Sequence, residues 1–182
     1  MAENARSCEV SATVKVSSAR AIFKALDERQ IKYLVAGGIA VNAYGYLRFT
    51  KDIDFVIELV PENIVAAFAA LNTLGYRPNV PITAEQFSDP DNRRRWIQEK
   101  DMKVLQFWSD THRETPMDVF IDVPFDFQTE QGAATWKELD GIGKVPVVSL
   151  PTLVQLKRVA NREQDRIDLD NLRLLYPREV GE

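Results

Sequence analysis

Residues 34–58, LVAGGIAVNAYGYLRFTKDIDFVIE, constrain the fold of this chain more than any other stretch. The segment begins and ends with apolar runs of strand length, and small and apolar residues follow the paired glycines at helical spacing. Two aspartates, Asp52 and Asp54, alternate with apolar residues at the start of the second run. The segment therefore predicts a strand, a glycine turn, a short helix and a second strand in immediate succession.

The composition is typical of one globular domain. The chain has 182 residues, of which 45% are hydrophobic and 27% charged, and its formal net charge of −4 disfavours a histone-like binder of nucleic acid. No run approaches the ~20 apolar residues of a membrane span. The single cysteine, Cys8, excludes an internal disulfide and favours a cytoplasmic location. We predict a flexible leader over residues 1–16 and one domain over residues 17–182.

Periodicity in the rest of the chain predicts further helices and strands. Residues 77–100 contain several prolines and three consecutive arginines, and they are predicted to form a long loop with one short helix. The predicted helices cover residues 19–29, 39–44, 61–75, 151–159 and 166–175, and the predicted strands cover residues 32–36, 52–58, 102–107, 117–123 and 145–148. Strands alternate with helices early and pair as a hairpin later, which predicts an α+β fold with a mixed β-sheet flanked by helices.

Three aspartates form the first candidate site. On a strand, Asp52 and Asp54 point to the same face with Cα atoms roughly 6–7 Å apart, so together they can bind divalent cations. The alternative is a solvated or capping D-x-D at the edge of a strand. Asp118, in the later strand MDVFIDV, completes a three-carboxylate cluster if the two strands are neighbours. Such a cluster suits two ions ~3.5–4 Å apart, and its oxygen ligands favour Mg²⁺ or Mn²⁺ over Zn²⁺. Asp122, beside Pro124, is interpreted as a turn or cap residue.

Gly37 and Gly38 form a second candidate site between a strand and a helix. Glycines there allow a positive φ and let backbone N–H groups approach a phosphate at the start of the helix. The alternative is a tight turn that merely requires glycine. Arg48 and Thr50 precede the D-x-D and are candidates for phosphate binding, although a solvated connector explains them equally well. Neither a Walker A loop nor a G-x-G-x-x-G fingerprint is present.

The glycine pair, the R-x-T-x-D-x-D strand and the distant acid between apolar residues together resemble the nucleotidyltransferase superfamily. The resemblance covers about residues 31–123, and small bacterial members related to the AbiEii-type toxin nucleotidyltransferases are the most similar. In that pattern the glycine pair holds a nucleoside triphosphate, and the D-x-D with a third acid binds two Mg²⁺ ions. The resemblance implies the following residues for these roles: Gly37 and Gly38 for the nucleotide, and Asp52, Asp54 and Asp118 for metal binding and catalysis.

The C-terminal stretch LPTLVQLKRVANREQDRIDLDNL resembles the closing segment of the same family, in which a lysine and an arginine precede paired acids on helices. The matching residues here are Lys157, Arg162, Asp165 and Asp168. The resemblance implies that Lys157 reaches the triphosphate. The residues alone equally allow ion pairs on a helix surface, worth ~0.3–0.5 kcal/mol each.

The expected activity is Mg²⁺-dependent transfer of a nucleoside monophosphate from a nucleoside triphosphate, such as ATP, to a hydroxyl acceptor. The acceptor stays open between a small molecule, a protein hydroxyl and a tRNA end, and the negative net charge favours a small molecule. A membrane is not an expected partner. One alternative is a non-catalytic module with the same fold that binds a protein partner such as an antitoxin. A second is a phosphohydrolase that uses the same acids.

Overall fold

The computed structural model describes residues 14–181. Most of the predicted leader, including Cys8, lies outside the described residues. The helices within this part of the chain are α1 (Val16–Glu28), α2 (Gly37–Ala43), α3 (Pro61–Thr73), α4 (Ala84–Ser88), α5 (Pro90–Lys100), α6 (Phe127–Ala133), α7 (Leu150–Ala160), α8 (Glu163–Leu175) and α9 (Pro177–Val180). The strands are β1 (Tyr33–Val35), β2 (Ile53–Ile57), β3 (Arg77–Pro78), β4 (Val104–Trp108), β5 (Met117–Phe120), β6 (Thr135–Leu139) and β7 (Gly143–Val147).

All of these strands belong to one sheet with the order β3-β4-β5-β2-β1-β7-β6. Strand β2 is antiparallel to β1 and parallel to β5, β1 is parallel to β7, and the outer pairs β3–β4, β4–β5 and β6–β7 are antiparallel. The predicted α+β class, with a mixed sheet and flanking helices in a single domain, is therefore confirmed. The predicted hairpin of residues 102–107 and 117–123 is also present, as β4 and β5.

The two faces of the sheet differ in what covers them. On one face, Phe55 of β2 packs against Phe23 of α1 and Tyr33 of β1, with ring centroids 5.6 and 5.7 Å away. Residues of α3, among them Ala67 and Leu71, close the same apolar face. Because side chains alternate along a strand, Asp54, the neighbour of Phe55, points to the other face. That face carries the candidate site.

Residues 77–100 are more ordered than the sequence analysis predicted. Helix α4 begins with a capping box. The backbone N–H of Gln86 donates to the hydroxyl of Thr83, and the side-chain oxygen of Gln86 accepts from the backbone N–H of Thr83. Helix α5 follows directly, because Asp89 caps its N-terminus and Pro90 occupies its first turn. Pro90 begins a helix rather than interrupting one, and Pro78 lies in β3, so the long-loop prediction is wrong.

Three further elements were not predicted, namely α6, β6 and α9. Helix α6 is short, and strand β6 lies at the edge of the sheet, where Trp136 is 56% exposed. Because β6 is partly exposed along its length, its sequence lacks the apolar run by which a central strand is recognised. No helix among residues 14–181 is long and apolar enough to cross a membrane.

Candidate active site

The register of the central strands places two of the predicted acids side by side. Asp54 of β2 and Asp118 of β5 are paired positions on neighbouring parallel strands, which in a sheet lie about 4.8 Å apart. Their side chains therefore share a face, and both line the same cavity. The condition set by the sequence analysis, that Asp118 lie beside the D-x-D strand, is met by a tertiary contact between residues 64 positions apart.

The glycine pair lies directly against this acid. Gly37 begins α2 with a φ of +56°, and a Cβ at this position would come within 1.7 Å of Asp54 Oδ2. A Cβ on Gly38 would lie 2.3 Å from Thr50 Oγ1. Any larger residue would displace the side chains that surround the pair. The two glycines are thus required by close packing at the site as well as by the turn.

Asp52, the third of the predicted acids, lies just before β2. Thr50 is buried, and its hydroxyl donates to the Asp52 backbone and side-chain oxygens at 3.4 Å. We call Asp52, Asp54 and Asp118 the acidic group. Burial, followed by the charges of Asp52 and Asp118, raises the pKa of Asp54 to about 7. Burial, followed by the charge of Asp52, also raises the pKa of Asp118.

The chemistry of these donors fits Mg²⁺ or Mn²⁺. Carboxylate oxygens are the ligands that hard divalent cations prefer. The pKa values of Asp54 and Asp118 are raised by burial first and by neighbouring carboxylates second, and a bound cation would favour the charged form of both. Asp54 and Asp118 are the pair that the register brings together. Across residues 14–181, however, no three Asp, Glu, His or Cys side chains are grouped closely enough to hold a metal ion as they stand. Asp54 and Asp118 are therefore neighbours, but the side chains of the acidic group are not arranged as a complete metal-coordination site.

A second group of charges joins α7, α8 and the connector before β2. Lys157 Nζ lies 2.8 Å from Asp165 Oδ1 and 2.7 Å from Asp168 Oδ2, and the three side chains are almost fully buried. Arg48 pairs with Asp168 through both carboxylate oxygens, at 2.7 and 2.9 Å. Arg162 pairs with Asp165 at 2.8 Å. We call these five residues the tail cluster.

The burial of the tail cluster contradicts one of the two interpretations of these charges, namely ion pairs on a helix surface. Their ion pairs are not on a helix surface, because the side chains of Asp165 and Asp168 are 1% and 0% exposed. Hydrogen bonds and the charge of Lys157 offset the effect of burial and lower the pKa of both carboxyls. Lys157 lines the cavity, but its ammonium group is already bound by both carboxylates. Its predicted contact with a triphosphate stays a prediction.

Arg48 has a positioning role that the sequence did not reveal. The Asn42 side chain, on α2, donates to the Arg48 carbonyl and accepts from its N–H, both at 2.9 Å. The Arg48 guanidinium then reaches α8 through Asp168. The connector is thereby tied to the glycine helix and to the tail cluster. Asn42 carries no sequence signal beyond its place in a short helix.

A cavity of about 730 Å³ opens beside the acidic group. Gly37, Asp54 and Asp118 line one part of it, and Arg162 and Lys157 line another. The remaining wall is largely apolar and is built mainly from β5 and the residues after it, α5 and α7. Its apolar members are Ile97, Met102, Val104, Phe120, Ile121, Val123, Pro124, Leu153, Leu156, Val159 and Ala160.

The arginine run of α5 has a structural function. Arg93 is buried and donates to the carbonyls of Phe87 and Ser88 at 2.6 and 3.0 Å. Trp96 is buried against the ring of Phe87. These contacts fix α5 on α4, and so they hold the wall of the cavity that Ile97 contributes. Arg94 and Arg95, in contrast, are exposed.

His112 lies apart from the acidic group. Its ring stacks on Tyr76, with centroids 5.5 Å apart and planes 3° from parallel. Its Nδ1 lies 2.8 Å from the hydroxyl oxygen of Ser18. The histidine is therefore half-buried and partnered in the fold.

Solved structures share this architecture at low sequence identity. ANT(2")-Ia, in complex with adenylyl-2"-tobramycin, matches 91% of this chain and 89% of its own with a TM-score of 0.56 and 17% identity. The lincosamide antibiotic adenylyltransferase LnuA, bound to lincomycin, matches 90% of this chain and 99% of its own with a TM-score of 0.58 and 14% identity. An antigenic nucleotidyltransferase-like protein from Paracoccidioides brasiliensis matches 89% and 75%, with a TM-score of 0.52 and 15% identity. No protein-family model and no curated protein sequence matches the chain.

These likenesses concern the fold. The chain has the fold of the nucleotidyltransferases over nine-tenths of its length. The relation to AbiEii-type toxins stays a prediction, as do the choice of nucleotide, the metal and the location in the cell.

Proposed function

We propose that this protein is a Mg²⁺-dependent nucleotidyltransferase, which moves a nucleoside monophosphate from a nucleoside triphosphate to a hydroxyl acceptor. The observation that carries the proposal is the contact of Gly37 with Asp54, which is itself paired in register with Asp118. A glycine turn at the start of a helix offers backbone N–H groups to a phosphate, and the adjacent carboxylates suit its cations. The nucleotidyltransferase fold of the chain supports the same reaction.

Each part of the site has a role in this proposal. Gly37 and Gly38 bind the β- and γ-phosphates through their backbone N–H groups, because glycine carries no side chain of its own to block them. Asp52, Asp54 and Asp118 would hold the metal ions, whose charge would offset that of the leaving pyrophosphate. Asp118 lies towards the apolar part of the cavity, where it is positioned to accept the proton of an acceptor hydroxyl. Arg48 and Thr50 keep the connector in place through Asp168 and Asp52.

The shape of the cavity favours a small acceptor. Its volume of about 730 Å³ lies in the range of small-molecule pockets, and its apolar wall adjoins the acidic group. ANT(2")-Ia and LnuA have structures with an adenylylated antibiotic and with lincomycin, respectively. We therefore propose a hydroxyl-bearing small molecule with an apolar face as the acceptor, ahead of a protein or a tRNA end.

Thermal unfolding with each of the four nucleoside triphosphates, with and without Mg²⁺, tests nucleotide binding. A ligand at 100 times its Kd stabilises the folded state by about 2.7 kcal/mol, so we expect a Mg²⁺-dependent shift in Tm for at least one triphosphate. The shift should vanish in the double variant Asp52→Asn/Asp54→Asn. It should persist in Asp140→Asn, which changes an exposed aspartate in the turn between β6 and β7.

Product analysis then separates the candidate functions. Pyrophosphate release together with a nucleotide adduct, in a panel of hydroxyl-bearing small molecules, supports transfer. Phosphate release without an adduct indicates a phosphohydrolase. The absence of any nucleotide-dependent shift contradicts both enzymatic functions and favours the module that binds a protein partner.

A further inference from the structure

The tail cluster carries one more positive charge than negative charge. Lys157, Arg48 and Arg162 supply three cations, and Asp165 and Asp168 supply two carboxylates. Buried ion pairs are stable only when their charges are compensated. The surplus charge must therefore lie on the member that reaches solvent.

Arg162 is that member. Its side chain is 75% exposed, whereas that of Lys157 is 5% exposed and that of Arg48 is 16% exposed. Lys157 contacts both carboxylates, and the Arg48 guanidinium also donates to the carbonyl of Phe49. Arg162 donates to Asp165 alone among the side chains of residues 14–181. Of these three cations, Arg162 has the greatest capacity for another anion.

The position of Arg162 places this capacity for anion binding at the candidate active site. The residue precedes α8 and lines the cavity that Gly37, Asp54 and Asp118 also line. A triphosphate that binds in this cavity therefore shares its lining with the Arg162 guanidinium.

We infer that Arg162, rather than Lys157, is the side chain that binds the triphosphate of the donor nucleotide. Its link to Asp165 fixes one edge of the guanidinium. The other edge keeps N–H donors for phosphate oxygens, which arginine binds with two parallel hydrogen bonds. Lys157 holds Asp165 and Asp168 in place, and its ammonium group is already paired with both carboxylates. This inference rests on the proposed nucleotide site and adds its phosphate-binding cation.

Binding of inorganic tripolyphosphate with Mg²⁺ tests the inference without the transfer reaction. In isothermal titration calorimetry we expect Arg162→Gln to raise the Kd at least tenfold. Arg162→Lys should recover part of the affinity, because it keeps the charge but loses the paired donors. Arg166→Gln, an exposed arginine four residues further along α8, is the matched control and should leave the Kd unchanged. Thermal unfolding without ligand checks that each variant is folded.

The outcomes separate this inference from the proposed function. Equal tripolyphosphate affinity in wild type and Arg162→Gln overturns the role of Arg162, whether or not transfer is observed. The role is also overturned if the wild type does not bind tripolyphosphate. Arg162-dependent binding without nucleotidyl transfer supports the role of Arg162 and contradicts the proposed reaction. If transfer occurs, Arg162→Gln should raise the KM for the triphosphate more than it lowers kcat.

Discussion

Asp54 and Asp168 are both withdrawn from water, but the protein surrounds them with opposite charges. Asp168 meets Lys157 and Arg48 at 2.7 Å, and its pKa falls below the usual range. Burial, followed by the charges of Asp52 and Asp118, raises the pKa of Asp54 to about 7. The tail cluster is thus compensated by cations of the fold, whereas Asp54 lies among carboxylates of like charge. We interpret Asp168 as an acid that stabilises the fold and Asp54 as an acid that binds a ligand.

The largest expected effect is the loss of transfer in Asp54→Asn. Removing one metal-binding carboxylate should lower kcat/KM for the identified acceptor by about a thousandfold, equal to about 4 kcal/mol. The amide keeps the shape of the side chain, so folding is not at issue. Pyrophosphate release is the measurement, and Asp140→Asn is the control. Unchanged release in Asp54→Asn would exclude a metal-binding role for this residue.

An aspartate-to-asparagine change should lower the unfolding free energy in the tail cluster but not in the acidic group. Asp168→Asn leaves Arg48 without its carboxylate partner and Lys157 with Asp165 alone, which costs about 3 kcal/mol of unfolding free energy. Asp54→Asn relieves repulsion in the metal-free protein, so its unfolding free energy should equal or exceed that of the wild type. Urea unfolding with a chelator measures both. A loss of stability in Asp54→Asn as large as in Asp168→Asn would remove the distinction between the two groups.

A smaller effect is expected from Gly37→Ala, which alters the acidic group by shape alone. The new Cβ must move the Asp54 carboxylate, and the positive φ adds about 1–2 kcal/mol of strain. Transfer should fall at least tenfold, and stability by about the strain term. Gly181→Ala has a similar φ of +57°, but nothing lies within 4 Å of its Cβ position. If both variants lose transfer equally, the contact with Asp54 is not the cause.

The smallest expected effect is a dependence of stability on pH that originates in the tail cluster. The pKa of Asp165 and Asp168 is lower in the folded state than in the unfolded chain, so their contribution is complete above the unfolded value, about 3.9. It is lost as the pH falls through their folded pKa. Urea unfolding at pH 6, 5, 4 and 3 should give a shallower decline in Asp168→Asn than in the wild type. Parallel curves would contradict the assignment.

The local sequence was sufficient for the elements that contain their own signals. Residues 34–58 predicted β1, α2 and β2 in order, because alternation, helical spacing and a glycine pair are properties of neighbouring residues. The hairpin of β4 and β5 was predicted for the same reason. Residues 77–100 were misinterpreted because Pro90 stops a helix in the middle but begins one after a cap such as Asp89.

The pairing of charges depended on tertiary structure. The sequence identified Lys157, Arg162, Asp165 and Asp168, yet it could not show that Arg48, 120 positions from Asp168, enters the same cluster. It predicted that Asp118 would join the acidic group only if β5 lay beside β2, and the parallel pairing of those strands supplied that condition. Burial and charge balance arise only when distant segments meet. The sequence therefore determined which acids the protein has, and only the fold decided which of them are neutralised by its own cations.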